Sequence, residues 1–166
     1  MQISRNGIQE QADPMLQWAT FCLGNETYGI DVMRVQEVLR YTEITPVPGA
    51  LSYILGIINL RGNVVTVVDT RKRFALSKVA LTDETRIVIV EVAGQILGLL
   101  VDNVADVIYL HQSEIEKTPN VGNESTQRFF RGVCHKNDRL YILVDLDSMI
   151  EFKEDENEMS ILDEAS

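Results

Sequence analysis

The sequence has few of the residues that build metal sites and catalytic centres. Its 166 residues include two cysteines and two histidines, and only 7% are aromatic. Cys22 and Cys134 lie far apart among apolar residues, which favours free thiols of a cytoplasmic protein over a disulfide or a metal site. His111 and His135 have no pattern of further ligands around them. The sequence therefore predicts no metal and no other cofactor.

Long apolar runs and clustered positive charge are also missing. No apolar run approaches the roughly 20 residues that a helix needs to cross a bilayer, and the first 14 residues contain no signal region. Lysine and arginine number 15 against 25 acidic residues, which gives a formal net charge of −10. Because affinity for nucleic acid comes largely from clustered basic side chains, this balance argues against such a partner. We expect a cytoplasmic globular protein that does not insert into a membrane.

Catalytic motifs are absent as well. The chain contains no P-loop, no G-x-G-x-x-G and no nucleophile elbow. An aspartic protease dyad is one enzymatic interpretation, because Asp69 and Asp145 each follow an apolar strand. Such enzymes use a D-T-G turn from each half, whereas Arg71 takes the glycine position here. We therefore expect both aspartates to end strands and to cap the segments after them, and we expect no enzymatic activity.

What the sequence does contain is a hairpin between positions 56 and 74. Two β-branched runs flank the short loop N-L-R-G-N, an arrangement typical of a β-hairpin. Arg61 lies at the tip beside Gly62, a residue that tolerates positive φ. Taken alone, the hairpin predicts an ordinary turn with a solvated arginine.

The same pattern occurs twice along the chain. A shift of 69 residues, from position 18 to position 87, superimposes two apolar strands and, further on, two valine triplets. A shift of 76 residues, from position 69 to position 145, superimposes the strands that end in aspartate. Glu37 falls on Asp106, but Arg61 falls on Asn137, so the hairpin tip is not repeated. The two triplets are Val32, Val35, Val38 and Val101, Val104, Val107.

This duplication predicts a mainly all-β protein of two similar modules, with short helical segments and a C-terminal helix beginning near Asp147. Each copy offers about five short strands separated by turn signals, as in a small barrel or sandwich. A module of about 70 residues is marginal alone, so two copies gain by packing together. The valine spacing predicts a bent strand or a turn of helix with all three valines on one side. The triplets are candidates for the seam between the modules or a groove beside it, and core packing is the alternative.

Several ordered motifs together resemble the CheW-like family of chemotaxis coupling adaptors. They are YGIDVMRVQEV, ITPVP, GIINLRGNVVTVVDTRKRF, LGLLVDNVADV and YILVDLD, and the resemblance runs from about Trp18 to about Phe152. It implies two five-stranded SH3-like β-barrels that act as a non-enzymatic scaffold. The partners implied are the cytoplasmic tip of methyl-accepting chemotaxis proteins and the regulatory domain of a CheA-type histidine kinase, in arrays at the membrane.

The resemblance also implies a division of the chain. We expect a flexible lead over residues 1–14, a CheW-like domain over 15–152 and an acidic tail over 153–166. Within the domain, barrel 1 would span about 28–85 and barrel 2 about 86–145, with the first strand able to cross over.

The resemblance assigns residues to two surfaces, with Glu37 accepting hydrogen bonds from Arg61 at the first. The receptor-binding groove would contain Val32, Val35, Glu37, Val38, Arg61, Val101 and Val104. The kinase-binding surface would contain Gly56, Gly62, Val64 and Asp69. Two alternatives stay open: an adaptor of a pathway for surface motility or second-messenger signalling, and a small-barrel module that binds a ligand or nucleic acid.

Overall fold

The computed structural model describes residues 12–117 and 124–151. Most of the expected lead and the whole acidic tail lie outside these residues. The strands are β1 (Met15–Leu23), β2 (Glu26–Asp31), β3 (Val35–Arg40), β4 (Ile54–Leu60), β5 (Asn63–Asp69), β6 (Arg86–Val92), β7 (Gln95–Val101), β8 (Asn103–His111), β9 (Phe130–Lys136) and β10 (Arg139–Val144). The one-turn helices are α1 (Thr70–Arg73), α2 (Glu124–Gln127) and α3 (Leu146–Met149), and 3-10 turns span Val32–Arg34 and Gln112–Glu114.

The strands form two five-stranded sheets, which confirms the mainly β fold and the two-barrel interpretation. The sheet order is β3-β6-β7-β5-β4 in the first barrel and β8-β1-β2-β10-β9 in the second. The expected division at residues 85/86 does not match this membership. Each barrel takes three strands from one repeat and the first two strands of the other repeat, so the copies exchange strands.

The strand pairing shows that the two barrels are built alike. Thr66 pairs with Leu97 in the parallel β5–β7 pair of the first barrel. Ile142 pairs with Tyr28 in the parallel β10–β2 pair of the second. The shifts of 76 and 69 residues relate these pairs residue for residue. A β-bulge also occurs at the matching place in the β3–β6 and β8–β1 pairs.

The largest hydrophobic core is shared by the two barrels. It contains residues of β1 and β2 from one barrel and of β6 and β7 from the other. Tyr28 lies in an aromatic cluster there, with ring centroids 5.6 Å from Phe21 and 5.3 Å from Phe74. Each large apolar side chain buried in this way stabilises the fold by about 1.5–3 kcal/mol. Since the shared core is larger than either barrel interior, the two barrels form one packed unit.

Each central hairpin ends in a capped helical turn, as the sequence predicted. The carboxylate of Asp69 accepts a hydrogen bond from the backbone N–H of Lys72 (3.2 Å) at the start of α1. Asp145 does the same for Ser148 (3.3 Å) at the start of α3. These roles at the ends of matching strands account for both aspartates.

Candidate docking surface

The valine triplet of the first repeat lies on a 3-10 turn followed by an edge strand. The side chain of Asp31 caps the turn by accepting from the backbone N–H of Met33 (2.9 Å). Val32 and Val35 are half-buried, and Val35 packs on the shared core. Val38 is 44% exposed on β3. The triplet thus passes from the core to the surface and does not present one uniform face.

The second triplet divides in the same way. Val101 ends β7 and is 1% exposed within the shared core, so its expected place in an accessible groove is wrong. Val104 and Val107 are 38% and 44% exposed on β8, which is the edge strand of the second sheet. Exposed valines on edge strands are costly in water unless a partner covers them.

Arg61 and Glu37 form an ion pair across the first barrel. The guanidinium donates through Nη1 to Oε1 of Glu37 (3.3 Å) and through Nη2 to Oε2. This two-pronged geometry is specific to arginine, because lysine lacks the planar fork. The hydrogen bonds from Arg61 hold the pKa of Glu37 below its ordinary value. The Arg61 side chain is 68% exposed, so the pair stands at the surface and contributes little to folding.

The hairpin backbone sets the direction of Arg61. Arg61 and Gly62 have φ of +52° and +89°, as the two central residues of a type I′ turn require. The side chain of Asn59 accepts from the backbone N–H of Gly62 (2.9 Å) and fixes the loop. Arginine is an unusual residue at positive φ, where asparagine or glycine would be less strained. Its presence there favours a role for its charge.

A concave surface lies beside this pair, and its counterpart in the second barrel differs in chemistry. The first pocket is about 480 Å³ and is lined by Glu37, Arg61 and Val64 among others. The second is about 520 Å³ and is lined by Asp106 and Asn137 at the matching positions. The first barrel alone therefore combines the exposed groove with an arginine–glutamate pair.

The residues expected at a kinase surface have different environments. Gly56 is buried with φ of +148°, and an added Cβ would lie 2.1 Å from the carbonyl oxygen of Thr45. Gly56 therefore permits a close approach of two chain segments and offers no surface to a partner. Asp69 caps α1 and is half-buried. Val64 is 67% exposed beside the hairpin tip, so Gly62 and Val64 remain candidates for contact.

A buried ion pair at the crossing between the barrels was not predicted from the sequence. Arg71, on α1, donates to the carboxylate of Asp102 through Nε (2.9 Å) and Nη2 (2.6 Å). The same carboxylate accepts from the backbone N–H of Gly24 in the β1–β2 turn (2.7 Å). The guanidinium of Arg71 holds the pKa of Asp102 below its ordinary value, although burial opposes this. Asp102 thus ties a turn of the second barrel to a helix of the first.

A buried arginine makes a second link of this kind. Arg73 is 6% exposed and lies 4.2 Å from the ring centroid of Tyr53 and 4.6 Å from that of Phe129. Its Nε donates to the carbonyl oxygen of Met149 (2.7 Å), and its Nη2 donates to that of Glu151 (3.0 Å). The side chain therefore joins α1 to the end of α3, with cation–π contacts on both sides.

Fold and surface together define a duplicated two-barrel β protein with exposed apolar edge strands and a surface-held arginine–glutamate pair. In the described residues, no group of three or more potential metal ligands comes together. No helix of that part of the chain is long and apolar enough to span a bilayer. The features that stand out are those of a protein that docks other proteins.

The chain belongs to the CheW-like family. The family model for the CheW-like domain matches residues 17–154. The chain is 35% identical over 136 residues to the chemotaxis protein CheW of Rhizobium meliloti, covering 82% of this chain and 88% of the relative. It is 36% identical over 131 residues to the chemotaxis protein CheW of Bacillus subtilis, covering 79% and 84%.

A solved structure gives the same fold. The crystal structure of the scaffolding protein TtCheW from Thermoanaerobacter tengcongensis matches with a TM-score of 0.77 and 36% identity, over 84% of this chain and 95% of that chain. A more distant relative is the protein FrzA of Myxococcus xanthus, 26% identical over 126 residues.

Proposed function

We propose that this protein is a non-enzymatic adaptor that couples methyl-accepting chemoreceptors to a CheA-type histidine kinase. Membership of the CheW-like family supports the class of function. The surface-exposed Arg61–Glu37 pair, on a hairpin beside a pocket, is the observation that carries the proposal for this chain. The protein then works in the cytoplasm and is recruited to receptor arrays at the membrane.

The receptor docks where the two edge strands expose valine. Val38 and Val104 are each more than a third exposed, and Val35 lies half-buried between them and the shared core. A helical hairpin supplies apolar anchors three and four residues apart, and such anchors fit an apolar groove. Arg61, fixed by Glu37, then offers directed hydrogen bonds to polar groups at the edge of the helix.

The kinase regulatory domain docks at the hairpin end of the first barrel. Val64 is the most exposed of the apolar residues on this hairpin, and Gly62 beside it leaves the backbone open to a close approach. A standard interface buries about 800 Å² per partner, so the contact must extend beyond the hairpin onto the adjoining barrel surface.

Co-sedimentation with receptor-containing membranes tests the receptor half of the proposal. The informative variant is Arg61→Asn, because asparagine is favoured before glycine in a type I′ turn and so removes the charge without loosening the hairpin. We expect an unchanged or slightly higher melting temperature and a loss of co-sedimentation. Arg61→Lys, which keeps the charge and loses the fork, should recover only part of the binding.

The matched control is Arg139→Gln, which removes a cation beside the equivalent hairpin of the second barrel. It should leave co-sedimentation with receptor membranes intact. A large fall in melting temperature for Arg61→Asn with normal receptor binding would show that the pair is structural. Failure of the wild-type protein to sediment with receptors, with or without kinase, would remove the adaptor function.

A further inference from the structure

A second pocket opens on the first barrel and shares no lining residue with the one beside Glu37. It has a volume of about 360 Å³ and is mostly apolar, with Ile44, Leu55 and Leu100 in its wall. Val79 and Leu81, on the connection between the two repeats, lie at its rim and are 46% and 53% exposed. An exposed apolar rim around a pocket of this size is typical of a site that another segment covers.

Positive charge surrounds the mouth of this pocket. Arg40 lies directly opposite Arg86 in the β3–β6 pair, an arrangement that repels unless an anion lies nearby. Lys78 lines the pocket itself. Within the described residues, none of these three cations forms an ion pair with a carboxylate. The wall carboxylates are already engaged: Asp102 binds Arg71, and Asp69 caps α1.

The described chain ends close to this pocket. The carbonyl oxygen of Glu151 accepts a hydrogen bond from Arg73, and Arg71 of the same helical turn lines the pocket. Residues 152–166 come next, and 15 residues span up to about 50 Å when extended. The mouth is therefore well within reach.

The sequence of this segment complements the pocket. It contains six acidic residues against the single Lys153. Its one apolar run, M-S-I-L at positions 159–162, is preceded by Glu158 and followed by Asp163. A short apolar run between carboxylates matches an apolar pocket with a cationic mouth.

We propose that residues 152–166 dock onto this pocket of their own chain. Met159, Ile161 and Leu162 cover the apolar wall, and the flanking carboxylates lie against Arg40, Lys78 and Arg86. A tethered segment has an effective concentration in the millimolar range, so contacts too weak to hold a free peptide are sufficient. This inference does not depend on the proposed adaptor function.

Backbone NMR of the full-length chain tests it. The tail variant is Ile161→Ser combined with Leu162→Ser, which removes the apolar anchors and keeps every charge. We expect its amide shifts to differ from those of the wild type at Val79, Leu81 and Thr85 and to agree with them around Asn63. Because exposed ion pairs are screened by salt, raising the ionic strength of the wild type should move the pocket amides in the same direction.

The reciprocal variant is Leu81→Ser, with Leu140→Ser as the matched control at an exposed leucine of the second barrel. Leu81→Ser should bring the amides of positions 159–162 to random-coil shifts, and Leu140→Ser should not. Unchanged pocket shifts in the tail variant, or changes confined to another surface, would overturn the proposal. Shifts that disappear on dilution would also overturn it, because they would place the tail on a second copy.

Discussion

The most direct test of how the barrels are held together is Asp102→Asn. Asparagine keeps the shape of the side chain and removes the charge that Arg71 faces. The side chains of Arg71 and Asp102 are only 15% and 22% exposed, so water cannot fully replace the lost interactions. Hydrogen bonds to charged groups are worth about 1.5–3 kcal/mol each, and partial solvation recovers some of this. We expect a loss of about 2–3 kcal/mol, or about 4–12 °C in melting temperature for a chain of this size.

The second half of the molecule supplies a matched control. Asp147 occupies the position on α3 that Arg71 occupies on α1, and it pairs with Arg34 at 3.5 Å. Those side chains are 64% and 37% exposed, and exposed pairs contribute at most about 1 kcal/mol. Asp147→Asn should therefore change the melting temperature far less than Asp102→Asn. Equal effects in thermal denaturation would refute the argument from burial.

The acid dependence of the same variant gives an independent check. The pKa of Asp102 is lowered in the folded protein, so the carboxylate stabilises the fold at every pH above its unfolded value near 4. That contribution is lost as the pH falls through the lower folded pKa. The difference in melting temperature between wild type and Asp102→Asn should thus be constant above about pH 5 and shrink under stronger acid. A difference that persists unchanged at low pH would show that it arises from packing.

Three further outcomes are expected. In an NMR titration, the pKa of Glu37 should lie below its ordinary value in the wild type and return to that value in Arg61→Asn, since hydrogen bonds from Arg61 lower it; equal values in both proteins would mean that the pair does not persist in solution. Gly56→Ala should destabilise the fold by about 3 kcal/mol, because its Cβ meets the carbonyl oxygen of Thr45, and denaturant unfolding with an unchanged midpoint would contradict this. Val64→Asp should weaken pull-down of the kinase while leaving receptor co-sedimentation intact, and loss of both would indicate a general defect of the hairpin.

Local features of the fold were predictable because local sequence determines them. The hairpin around Arg61 and Gly62 follows from β-branched runs that flank a glycine-containing loop. The caps at Asp69 and Asp145 follow from an acidic residue at the end of each apolar strand. The duplication was visible because both copies keep the same spacing from strand to strand.

Strand exchange was not predictable, because pairing between distant strands leaves no periodic signal in one sequence. β2 carries the same alternation whether it pairs with β5 or, as observed, with β10. For the same reason, the burial of Val101 could not be told from that of Val104, although both belong to one triplet. The bond between Arg71 and Asp102 joins positions 31 residues apart, and nothing in either neighbourhood indicates the other.

Strand exchange also explains why the candidate groove lies between the barrels. The chain crosses from one barrel to the other after β2 and again after β7, and each crossing leads directly into an edge strand. Those edge strands, β3 and β8, carry the exposed Val38 and Val104. Because Asp102 lies at the second crossing and binds groups of both barrels, it helps fix the distance between the two exposed valines. The surface offered to a helical partner is thus set by the crossing, and loosening the crossing should impair docking even where the docking residues themselves are intact.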